Sequence, residues 1–183
     1  MRYERATQDP PSPPAVPMDR GLGGRVAGLA LVASAVLGAA GAVCLTGMFV
    51  GFAVDRRAEA LVFGSINDAL AVVTYPLLVP AILVVRSVLR SAYGAGGDVA
   101  TAIGLGAVAA ITGLQFLLVA GGLSFEQQIG PVTVAFVALG AYFALLGYAG
   151  RTRGLPVGVG LGIAAGLYYG YPLWALRLGR HLA

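Results

Sequence analysis

Five long apolar runs joined by short polar connections constrain this 183-residue chain more than any other feature. They cover Val26–Val54, Leu61–Val85, Val99–Leu123, Ile129–Gly150 and Leu155–Leu176. The last four hold 22–25 residues each. At ~1.5 Å per residue, that length crosses the ~30 Å hydrocarbon core of a bilayer. The first run is longer and is expected to tilt or to overhang the membrane. The runs are continuous instead of alternating, which argues against barrel strands. The expected fold is an all-α integral membrane protein, a bundle of five transmembrane helices with short loops. One transmembrane domain over residues 25–183 would follow a disordered, proline-rich tail over residues 1–24, where charges, prolines and glycines leave no apolar period.

Composition supports this reading. Only 11% of residues are charged, against about 25% in a typical soluble domain. Such a chain cannot cover a water-exposed surface. Its net charge of +4 comes from arginines at the ends of apolar runs, a placement that suits membrane topology and lipid headgroups and not nucleic acid. The chain has no lysine, a bias that hints at a bacterial source. Cys44 is the only cysteine and His181 the only histidine. An internal disulfide, paired-histidine metal sites and bis-histidine haem are therefore excluded within one chain. No cofactor is implied.

The arginines also set an orientation. With five spans, the tail shares a side with the connections at 86–98 and 151–154. That side carries Arg2, Arg5, Arg20, Arg25, Arg86, Arg90, Arg151 and Arg153, against Arg56, Arg57, Arg177 and Arg180 on the other. The bias predicts a multi-pass protein of the bacterial inner membrane, with its N-terminus cytoplasmic and its C-terminus outside. The connection 86–98, rich in glycine, is expected to be the longest loop. Glu126, Gln127 and Gln128 mark an outside turn.

Two kinds of motif stand out. Gly154, Gly158, Gly162, Gly166 and Gly170 recur every fourth residue in the fifth run. Small residues let helix backbones approach closely, so this row is a candidate helix-packing interface, within the bundle or with another chain. Shorter rows occur at Ala30, Ser34, Gly38 and Ala42, and at Ala102, Gly106 and Ala110. The second run is the most polar, with Ser65, Asn67, Asp68, Thr74 and Tyr75 followed by Pro76 and Pro80. Ser65-x-x-Asp68 reads either as a capping box at a helix start or as a site, because an ionisable group within a span is costly. Pro76 and Pro80 remove backbone donors and predict a kink. Asn67, Asp68, Tyr75 and Gln115, with Tyr168 and Tyr169, form a candidate polar pocket in the outer half of the bundle. Gln115 also suits an interhelical hydrogen bond.

No nucleophile–base set, metal cluster or phosphate loop is present, which argues against an enzyme. The function expected is that of a non-catalytic subunit or interaction partner, packed laterally in a larger membrane assembly or homo-oligomer. Its partners would be membrane lipids and other membrane chains or itself, with no nucleic acid. The alternative is a small transporter, channel or lipid-binding protein using an outward-facing polar pocket around Asp68 and Gln115.

Overall fold

A computed structural model describes residues 22–151 and 179–180. All regular structure among the described residues is helical. The order is α1 (Leu22–Ala53), α2 (Arg57–Thr74), a short 3-10 turn (Pro76–Leu78), α3 (Val79–Tyr93), α4 (Ala95–Val119) and α5 (Phe125–Arg151). The segment Arg57–Tyr93 runs as one interrupted rod, so four helical units are long and apolar enough to cross a membrane. They correspond to the first four runs. The fifth run, Leu155–Leu176, lies outside the described residues, and so does the tail as far as residue 21.

Three boundaries differ from expectation. Helix α1 already begins at Leu22, within the stretch assigned to the tail. The connection 86–98 is almost wholly helical, because α3 continues to Tyr93 and α4 starts at Ala95. Gly94 alone breaks the path, with φ 58°, a conformation that a side chain disfavours. Helices need not stop where apolar sequence stops, since arginines placed on an outer face are compatible with continued helix. Arg86 and Arg90 are exposed there, and both reach Asp98 across the turn, at 2.7 and 3.6 Å. Helix α5, finally, starts at Phe125, four residues earlier than expected. Ser124 and Gln127 form a reciprocal capping box: the Gln127 amide N–H donates to Ser124 Oγ at 3.3 Å, and the Ser124 amide N–H donates to Gln127 Oε1 at 2.9 Å.

Small residues set the spacing between neighbouring helices. Helices α1 and α2 pack antiparallel: Gly51 faces the backbone of Ala60, Gly47 the ring of Phe63, and Gly41 the side chain of Asn67. A Cβ at Gly97 would collide with the backbone carbonyl of Leu89, so the α3–α4 hairpin closes as tightly as a backbone allows. A Cβ at Gly104 would lie 2.8 Å from the ring of Tyr142 on α5. The core between these helices includes Leu31, Leu78, Val85, Leu89, Ile111, Tyr142 and Leu146, all nearly inaccessible. The α3–α5 crevice beside Leu78, Ile82 and Tyr142 is too narrow for a water molecule.

The outer surface is apolar. Exposed side chains include Val36, Val43, Phe49, Phe63, Phe116, Val134 and Val137. The rod has 37 residues, against 25 in α4, so at ~1.5 Å per residue it is roughly 55 Å long beside roughly 37 Å. Gly179 lies against Gly28 and Leu31, in the N-terminal third of α1. A straight fifth span would carry the chain to the opposite end of the bundle, so this contact is at odds with a C-terminus that exits there.

Candidate functional site

The two prolines of the rod come first, because they decide whether the second run is an unwound ion site or a packed bend. Pro76 has no N–H and ends the regular α2 ladder. The chain tightens into a 3-10 turn, in which the Leu78 N–H donates to the Tyr75 carbonyl at 2.9 Å and the Val79 N–H donates to Pro76. The Pro76 carbonyl, whose α-helical donor would have been the N–H that Pro80 lacks, is thereby occupied. In an α-helix, the Leu78 N–H would instead have served Thr74. The Thr74 carbonyl is taken by Ser34 Oγ, which donates to it from α1 at 2.8 Å. Tyr75 and Leu78 are buried there, and the Tyr75 ring meets Phe136 of α5 edge-on, with centroids 5.5 Å apart. The bend is closed by side chains and hydrogen bonds.

Ser65 does not cap a helix. Arg57 opens α2, so Ser65 is two turns inside it, and its hydroxyl donates back to the Leu61 carbonyl at 3.0 Å. The capping-box reading of Ser65-x-x-Asp68 is therefore overturned: an S-x-x-D spacing has this meaning only at a helix start. Asp68 is half-buried, eleven residues beyond Arg57. Its neighbour Asn67 is buried between α2 and Gly41 of α1, and Asn67 Nδ2 donates to Asp68 Oδ1 at 3.5 Å. That contact is at the limit of hydrogen-bond length.

Two further members of the expected pocket, Tyr75 and Gln115, lie in packed surroundings. Tyr75 sits in the core against Phe136. Gln115 is buried on α4, one turn before its C-terminus, and its Oε1 has no hydrogen-bond partner among the described residues. An interhelical bond of the kind expected of Gln115 is thus not made by this oxygen to any described residue. Thr112 Oγ1, Gln128 Nε2 and Tyr142 Oη are likewise buried without partners among the described residues. All four atoms lie on α4 and α5. Thr46 and Thr133 face outward, and each hydroxyl donates to a carbonyl of its own helix, Ala42 and Ile129 respectively. Tyr168 and Tyr169 lie outside the described residues, as does the row Gly154, Gly158, Gly162, Gly166 and Gly170.

The two shorter small-residue rows take opposite roles. On α1, Ser34 and Ala42 are buried and Ala30 and Gly38 half-buried, so that row packs within the bundle. On α4, Ala102, Gly106 and Ala110 are exposed, together with Ala109 and Gly113. A Cβ at Gly106 or Gly113 would meet nothing within 4 Å. The opposite face of α4, through Gly104, Val108, Ile111 and Gln115, is the buried one. Spacing alone does not separate these cases.

No group of three or more histidine, cysteine, aspartate or glutamate side chains able to hold a metal occurs among the described residues. Compared with known proteins, the chain matches no family model, no curated protein and no solved structure.

Proposed function

We propose that this chain is a non-catalytic membrane subunit that packs sideways against another transmembrane chain or a second copy of itself. The observation that carries the reading is the outward row Ala102, Gly106, Ala110 and Gly113 on α4, small along its length and exposed, with no described residue within 4 Å of a Cβ at Gly106 or Gly113. In lipid, helix association depends on close van der Waals packing, and small residues permit it. Large residues such as Ile103, Phe116 and Leu117 flank the row, as the walls of a shallow groove would. The glycine row of the fifth run would offer a second surface of this kind.

Membrane embedding is part of the proposal. It is supported by four helices of sufficient length and apolarity and by an outer surface rich in valine and phenylalanine. The proposed orientation keeps the N-terminus cytoplasmic in a bacterial inner membrane. Arg25, Arg86 and Arg90 lie at the α1 N-terminal end, against Arg56 and Arg57 at the other. The contact between Gly179 and Gly28 would bring Arg180 to the cytoplasmic end as well and strengthen that bias.

A transport role has less support, since Tyr75 and Gln115 are packed into interfaces and the proline bend is filled. The subunit reading is tested by native gel mobility of the protein extracted in mild detergent. Gly106→Leu, whose side chain would point away from the bundle, should release the associated chain while leaving helix content and thermal unfolding unchanged. Unaltered mobility of the complex would overturn the use of this face.

A further inference from the structure

Among the described residues, no arginine pairs with the carboxyl group of Asp68. All twelve basic residues of the chain are arginines, and none lies between Arg57 and Arg86. Along the rod, Arg57 is eleven residues away and Arg86 eighteen, which is roughly 17 and 27 Å. Arg56 and Arg57 are further engaged by Glu59 and Asp55 at the helix turn, and Arg86 and Arg90 by Asp98. The bend at Pro76, about two turns further along the rod, is filled by Tyr75, Leu78 and Phe136. Asn67 supplies Asp68 with one long hydrogen bond to Oδ1. The side chain is half-buried, so part of it meets the bundle's outer surface.

A carboxyl group in this position is expensive in hydrocarbon. Such groups are found paired, or facing a water-filled cavity. Among the described residues no cation pairs with Asp68, and its exposed part offers the group to a neighbour at the side of the bundle. We infer that Asp68 is the anionic half of an intramembrane ion pair whose cation, a lysine or arginine within a transmembrane helix, is brought by the partner chain. The inference deepens the subunit reading by naming the partner's chemistry. It does not depend on the α4 face: Gly106→Leu can fail to release a partner while Asp68 still selects a basic helix, and the reverse.

The test uses the full chain reconstituted in phosphatidylcholine vesicles, with labelled polyleucine transmembrane peptides of roughly 20 residues as probes. One carries a single central lysine, a second carries that lysine near its end, and a third carries none. Energy transfer reports association. The wild-type chain should bind the central-lysine peptide at least about tenfold more tightly than either of the others. Asp68→Asn should remove the preference and Asp68→Glu should keep it, while Glu59→Gln, at the helix turn, should leave it intact. The comparison of lysine positions needs no variant, so a misfolded Asp68→Asn does not spoil the result. Equal binding of all three peptides by the wild-type chain would overturn the inference. Saturable binding of tetraphenylphosphonium without any lysine preference would also overturn it, by assigning Asp68 to a small lipophilic cation.

Discussion

Ser34 of α1 donates a buried hydrogen bond to the Thr74 carbonyl, the oxygen that loses its α-helical donor when the rod tightens at Pro76–Leu78. The bend and the α1–α2 interface are thus one device. Ser34→Ala should strand that carbonyl without water to replace the hydroxyl. A loss of about 1 kcal/mol is expected, in line with hydrogen bonds between membrane helices. Reversible unfolding in mixed micelles measures it, and a neutral result would mean that another donor reaches Thr74.

Gly104 and Gly106 are two residues apart on α4 and face opposite ways. Gly104→Leu should destabilise by about 1–3 kcal/mol, because its side chain meets the Tyr142 ring. Replacing Tyr142 by alanine in the same chain should recover part of the loss. Gly106→Ala should change thermal unfolding by no more than about 0.5 kcal/mol. Equal effects at the two positions would contradict the packing of α4.

Gly97 faces the main chain of Leu89, which cannot move aside as a side chain can. Gly97→Ala is therefore expected to be more damaging than Gly104→Ala. Cysteine pairs across the α3–α4 hairpin, placed in a Cys44→Ser background, would report the displacement as a loss of cross-linking.

The Arg86–Asp98 pair closes the same hairpin, but it is exposed. Asp98→Asn should cost no more than about 1 kcal/mol, and the effect should shrink as salt is added. A large, salt-independent loss would show that Asp98 has a further role.

Ser124→Ala should remove half of the capping box at the start of α5, at a cost of about 0.5–2 kcal/mol. Faster amide exchange confined to residues 125–128 is the expected signature. The spacing Ser124-x-x-Gln127 is a helix-start signal, as readable as Ser65-x-x-Asp68. What separates them is where the helices begin, and apolar composition marks that poorly. Arg86 and Arg90 interrupt the apolar pattern without interrupting the helix, so hydropathy alone turned a one-glycine turn into a long loop.

The number and order of the first four helices were legible, because apolar length is a property of each segment taken alone. The site was less so. Gln115 is buried on α4 and Asp68 sits inside α2 instead of at its start, and which face of α2 or α4 meets a neighbour depends on how helices from distant parts of the chain pack. The rows at Ala30–Ala42 and Ala102–Ala110 share one spacing and still point in opposite directions, inward on α1 and outward on α4.

The unequal lengths of the rod and α4 have a consequence for what surrounds each of them. The extra length of the rod is polar: Arg57, Glu59, Arg86 and Arg90 occupy its ends, while its apolar run Leu61–Val85 holds 25 residues, as many as Val99–Leu123. In a bilayer the two would therefore offer the hydrocarbon a similar apolar height. The surplus turns of the rod would stand in the headgroup and water layers, where their charges are solvated.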